Sequence, residues 1–80
     1  MRLPRDLSGP DLIRALSKLG YVATRQSGSH VRLTTTERGE HHVTIPLHDP
    51  LRIGTLAAIL AAAAAHQGIS RDELLNRLLA

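Results

Sequence analysis

The stretch from His30 to Ile45 constrains the fold more than any other part of this chain. It reads His30-Val31-Arg32-Leu33-Thr34-Thr35, then Glu37-Arg38-Gly39-Glu40, then His41-His42-Val43-Thr44-Ile45. Successive side chains on a strand point to opposite sides. Val31, Leu33 and Thr35 therefore share one face, while His30, Arg32 and Thr34 share the other. In the second run Val43 and Ile45 are the core pair, with His42 and Thr44 opposite. Two alternating runs joined by a glycine-containing turn predict a β-hairpin with one apolar face, ended by Pro46. A further strand precedes it: Tyr21-Val22-Ala23-Thr24-Arg25 is β-branched and aromatic, and Ser27-Gly28-Ser29 supplies a turn.

An apolar sheet face needs a cover, and helices flank the strands. Ser8 is a candidate cap with Pro10 in the first turn and Asp11 three residues after the cap, and Leu7 and Leu12 are placed to staple across it. Leu12, Ala15, Leu16 and Leu19 form a helical stripe that stops at Gly20, which predicts a helix from about Gly9 to Leu19. After the irregular link 47–52, a second helix runs from Ile53 to about Gln67, its stripe being Leu56, Ile59, Leu60 and Ala63. Gly68 ends it. Ser70-Arg71-Asp72-Glu73 then reads as a capping box for a short helix bearing Leu74, Leu75 and Leu78. The expected fold is α+β: a three-stranded antiparallel meander covered on one face by helices, in the order α-β-β-β-α plus a short C-terminal helix. One domain over residues 1–80 is expected, with a core at about 7–67 and the last helix at about 70–79.

Composition narrows the function. An 80-residue chain buries only about three-fifths of its unfolded surface, so its function is expected on an exposed face rather than in a deep pocket. Without cysteine there are no disulfides, thiolate zinc sites or cysteine nucleophiles. A cytoplasmic location is expected, since the opening Met1-Arg2-Leu3-Pro4-Arg5-Asp6 lacks the apolar core of a signal peptide. The longest apolar stretch, Leu56 to Ala65, is too short for a membrane span. A formal charge of +3 points to a polyanionic partner. With one aromatic residue in the chain, base stacking is disfavoured, and phosphate and sugar contacts must dominate.

Gly28-Ser29-His30, at a tight turn entering a strand, is the most informative constellation, with Arg25 and Arg32 close by. Glycine admits a phosphate close to the backbone, Ser29 offers hydroxyl and amide donors, and histidine moves protons near neutral pH. Of the remaining polar features, His41 and His42 alternate across the sheet, which disfavours a metal site shared with His48 or Asp49. His66 suits the C-terminal pole of the second helix, and Tyr21 reads as core. Arg2, Arg38, Arg71 and Arg77 read as solvated surface.

Gly20-Tyr21, Arg25-Gln26-Ser27-Gly28-Ser29-His30, His42-Val43-Thr44-Ile45-Pro46-Leu47-His48, and Gly54-Thr55-Leu56 with Ile59-Leu60 together resemble the HicA family of toxin ribonucleases. Gly68-Ile69-Ser70 and Glu73-Leu74-Leu75 extend the likeness, which runs from about Leu7 to Leu79. The resemblance implies a double-stranded-RNA-binding-like fold and an mRNA interferase, the toxin of a type II toxin–antitoxin pair that arrests translation and growth. It implies one essential histidine, carried over to His30, and an RNA-contacting set of Arg25, Gly28, Ser29, Arg32, His42, Thr44, Gly54 and Thr55. It implies no cofactor or metal. The implied partners are mRNA and a HicB-type antitoxin that covers His30, with a monomeric free toxin and a hetero-oligomeric complex. The chain departs from many members at Ser27, where lysine is common, at Asp49-Pro50-Leu51-Arg52, where basic residues are common, and in the run Ala61 to Ala65.

The mechanism expected on this basis is removal of a proton from an RNA 2′-hydroxyl by His30, attack on the adjacent phosphorus and expulsion of the 5′-oxygen. The leaving-group acid is water, His42 or His30 itself. Two alternatives use the residues differently: a non-catalytic double-stranded-RNA-binding module, and a helix-turn-helix DNA-binding protein using residues 60–78.

Overall fold

In the computed structural model, which describes residues 3–79, the order is α1 (Gly9–Ser17), β1 (Val22–Ser27), β2 (His30–Thr35), β3 (His41–Pro46), α2 (Ile53–Gln67) and α3 (Arg71–Leu79). Met1, Arg2 and Ala80, the ends of the expected 1–80 domain, lie outside the described residues, and with them the surface reading of Arg2. The strands form one antiparallel sheet in the order β1-β2-β3. The α-β-β-β-α order and the additional C-terminal helix are as expected.

Local chemistry explains the helix ends. The Ser8 hydroxyl accepts from the Asp11 amide, and the Asp11 carboxylate accepts from the Ser8 amide, completing a capping box at α1. That arrangement, chiefly the hydrogen bonds to Ser8, holds the Asp11 carboxyl below its ordinary value. The helix closes at Ser17, two residues sooner than the apolar stripe suggests. The amides of Lys18, Leu19 and Gly20 bond three residues back, to Ala15, Leu16 and Ser17, and tighten the chain into turns. Gly20, at φ +82°, then reverses the chain while the Tyr21 amide reaches the Leu16 carbonyl. α2 ends in the same way at Gly68, with the Ile69 amide on the Ala64 carbonyl. At α3 only half of the predicted box is made: Ser70 Oγ accepts from the Glu73 amide, while the Glu73 carboxylate turns to Arg77.

The core lies between the helices and one face of the sheet. Leu12 and Leu16 of α1, Leu56 and Leu60 of α2, and Leu74 and Leu75 of α3 pack with Val31, Leu33, Val43 and Ile45, and all are buried. Tyr21 is buried too, as its position after the helix-ending glycine suggests. Where α1 begins, Gly9 abuts the end of β3. A Cβ there would stand 2.2 Å from the Pro46 carbonyl oxygen, and the Gly9 amide donates to the His48 carbonyl. This contact sets the α1 N-terminus against the end of the sheet that carries His30, because Pro46 pairs with His30. Among the described residues, no single helix is long and apolar enough to cross a membrane.

Candidate functional site

The helices leave one sheet face bare, and the strand register arranges its side chains in cross-strand rows. The first row is Ser27, His30 and Pro46; the second is Arg25, Arg32 and Thr44; the third is Val22, Thr34 and His42. Neighbouring rows are two residues apart along a strand, about 7 Å.

The first row sits at a two-residue hairpin. Ser27 pairs with His30, which leaves Gly28 and Ser29 as the turn, with φ +58° at Gly28. Because the turn needs only two residues, β1 extends to Ser27, beyond the Arg25 end that β-propensity alone suggests. A Cβ on Gly28 would meet nothing within 4 Å, so the backbone is open to a ligand here. The Ser29 carbonyl is anchored by the Leu47 amide at 2.7 Å. His30 is exposed, and its imidazole makes no hydrogen bond or ion pair among the described residues.

Arg25 and Arg32 form the centre of the second row. Neither guanidinium has a carboxylate partner among the described residues, and Thr44 stands across from Arg32 on β3. The third row is already bonded. The Thr24 and Thr34 hydroxyls lie 2.8 Å apart, Thr34 Oγ1 meets His42 Nδ1 at 2.7 Å, and His42 Nε2 meets Glu40 at 3.0 Å.

The geometry thus gathers Arg25, Gly28, Ser29, His30, Arg32 and Thr44 at one end of the bare face and does not bring His42 to them. His42 lies two rows from His30, about 13 Å along the strands, with both ring nitrogens engaged. It is badly placed to protonate a leaving oxygen beside His30. Gly54 and Thr55 belong to the first turn of α2, in the covering layer. There Arg52 provides no side-chain cap and a Cβ on Gly54 would meet nothing within 4 Å.

His41 and His42 diverge, as alternation requires. His41 turns to the covered side, where its Nδ1 meets the Tyr21 hydroxyl at 2.8 Å and its ring stacks on His66 at 4.4 Å between centroids. Burial, followed by the neighbouring His66 and His42, lowers the His41 pKa from the ordinary histidine value; burial raises that of Tyr21. His66 does more than face the helix dipole. Its Nε2 donates to the carbonyls of Glu37 and Gly39, fastening the β2–β3 turn to α2. Arg38 is exposed, as its surface reading expects, and its guanidinium lies at Gly68. No local pattern marks these contacts, which join residues twenty or more positions apart. Among the described residues no group of three or more His, Asp or Glu is placed to hold a metal.

Helix-backed, three-stranded and bare on one face, the molecule is an α+β domain of the double-stranded-RNA-binding-like class. A family model described as "HicA toxin of bacterial toxin-antitoxin" matches residues 9–65, more than half of the chain. The chain belongs to the HicA toxin family of bacterial toxin–antitoxin systems. The likeness seen in the C-terminal segment lies beyond the matched stretch. No curated protein and no solved structure gives a match.

Proposed function

We propose that the chain is an endoribonuclease, an mRNA interferase, acting without metal through His30. The observation that carries this reading is an exposed His30 beside an open glycine turn and two arginines, all three side chains without a hydrogen-bond or ion-pair partner among the described residues. His30 takes the proton of a 2′-hydroxyl. The 2′-oxygen bonds to phosphorus, the bond to the 5′-oxygen breaks, and that oxygen is protonated by water or by His30 acting in the second sense. The products are a 2′,3′-cyclic phosphate and a 5′-hydroxyl. The Ser29 hydroxyl and the exposed backbone of the turn position the phosphate, and the arginine row draws in the polyanionic strand. In the cytoplasm such cleavage arrests translation and growth until a HicB-type antitoxin covers His30.

The test is to incubate the protein, in a chelator, with RNA and with the same sequence 2′-deoxy at the cleavage position. Cleavage of the RNA alone, lost in His30→Ala, is the expected result. RNA retention without cleavage would select the non-catalytic module, and cleavage by His30→Ala at the wild-type rate would reject the mechanism. The helix-turn-helix reading fares less well on the structure. The α2–α3 angle of 99° fits its outline, but the outward face of α3 offers Asp72 and Glu73, and Arg77 is paired with Glu73.

A further inference from the structure

The pairing of β1 with β2 is irregular at one point. Val22 pairs with Thr34 and Ala23 with Leu33, but the next pair is Arg25 with Arg32, so Thr24 is an extra residue in β1. Regular pairing after Ala23 would set Thr24 opposite Arg32 and Arg25 opposite Val31, on the side the helices cover. The bulge instead turns Thr24 and Arg25 both to the bare face, and the Thr24 hydroxyl bonds there to Thr34 and to the Arg32 carbonyl. The extra residue thus sets two arginines opposite each other on the bare face.

Like charges directly opposite on neighbouring strands destabilise a sheet. No carboxylate relieves this pair among the described residues, although the chain pairs Arg14 with Asp11 and Arg77 with Glu73 elsewhere. Two unneutralised guanidinium groups, rooted on adjacent strands and facing the same way, make a fork for one anion. His30 is in the adjoining row, about 7 Å away along β2, a step comparable to the spacing of successive phosphates on an extended nucleic-acid strand.

We propose that the Thr24 bulge builds a phosphate subsite from Arg25 and Arg32, distinct from the position His30 addresses, and that it holds the phosphate adjoining the cleaved one. This rests on the ribonuclease reading of His30 and adds to it a minimum substrate: a strand with two consecutive phosphodiesters. Thr44, at the far end of the row, supplies a hydroxyl to the same phosphate.

The experiment uses uncleavable 2′-deoxy oligonucleotides, a dinucleotide with one phosphodiester and a trinucleotide with two, titrated into the full chain and followed by NMR. Wild type should bind the trinucleotide several-fold more tightly than the dinucleotide. Arg25→Gln and Arg32→Gln should each lower trinucleotide affinity several-fold more than dinucleotide affinity, removing most of that gain, with folding unchanged. Arg25→Lys should restore part of it. On a longer strand, each glutamine variant should lower the slope of log affinity against log salt by about 0.7. In parallel, the glutamine variants should lose more of the cleavage rate on the RNA trinucleotide than on the RNA dinucleotide. Equal losses on both lengths would place the arginines on the phosphate beside His30 and overturn the subsite, as would no loss on either. A wild type that gains affinity with the second phosphate but cleaves nothing would reject the ribonuclease reading and leave the anion fork standing. A wild type that binds neither length rejects both.

Discussion

The two ends of the sheet are built from the same kind of element, a hairpin with glycine at positive φ, and are treated in opposite ways. At the β1–β2 end Gly28 has open space around it, the His30 imidazole has no partner among the described residues, and the Leu47 amide on the Ser29 carbonyl anchors the turn. At the β2–β3 end the connection is held from several sides. His66 donates to the carbonyls of Glu37 and Gly39, Thr35 Oγ1 accepts from the Glu37 amide, the Glu37 side chain lies over Gly20, and Arg38 lies at Gly68. The difference separates two tasks within one small domain. The fastened end joins the sheet to α1 and α2, while the open end, with its donors and imidazole exposed, is where the proposed function places its ligand.

Four predictions would break or sharpen this contrast. The largest effect should come from His30→Ala, which should lower RNA cleavage by about 10²- to 10⁴-fold without moving the melting temperature, since the exposed ring makes no hydrogen bond or ion pair among the described residues. Next is Gly9→Ala, whose methyl would lie 2.2 Å from the Pro46 carbonyl oxygen and 3.0 Å from Leu47 Cα. Neither backbone atom can yield without shifting α1 from β3, and a loss of about 3 kcal/mol in denaturant unfolding is expected.

A matched pair of glycines compares the ends directly. Gly28→Ala should cost about 1–2 kcal/mol, the price of left-handed backbone alone, yet reduce cleavage further than that because its methyl occupies the ligand's approach. Gly20→Ala carries the same backbone strain and must also displace the Glu37 carboxylate, which would lie 1.9 Å away. It should destabilise by a similar amount, since the exposed Glu37 side chain can swing away, and affect cleavage less. The smallest effect, about 1 kcal/mol, is expected from His66→Ala, which removes the bonds to the turn. It also bears on pH dependence. His41 resists protonation in the folded chain, whereas the unfolded chain takes the proton near the ordinary value of 6.5. Stability from this group is therefore full above about pH 6.5 and falls as the pH drops below it. Thermal melts from about pH 7 to pH 5.5 should show that decline, and it should be shallower in His66→Ala, where one of the charges opposing His41 protonation is gone.

Much of the fold was legible because its signals are local. The alternation of Val31, Leu33, Val43 and Ile45 settles which sheet face is covered, and Ser8 with Asp11 marks the start of α1 through hydrogen bonds made within three residues. His30, Gly28 and Ser29 were legible as a group because they are neighbours in the chain. The row partners were harder to see. Arg25 is near Arg32 in sequence, but whether it shares a face with Arg32 depends on the bulge at Thr24, and nothing in Ala23-Thr24-Arg25 announces an extra residue. His66 and His41 stack only because α2 packs across β3, so an imidazole that reads as a helix-end charge serves as a fastener. Conversely, His42 is a candidate leaving-group acid on sequence, and only the register, which sets it two rows from His30, removes it.

The separation of a working end from a fastened end is tested most directly by mapping the backbone amides that respond when an uncleavable 2′-deoxy oligonucleotide is titrated into the isotope-labelled protein. Shifts concentrated at Arg25 to Arg32 and at Thr44, with Glu37 to Gly39 and His66 unmoved, are the expected result. The largest shifts at Glu37 to Gly39 and His66, with Gly28 to His30 silent, would contradict it.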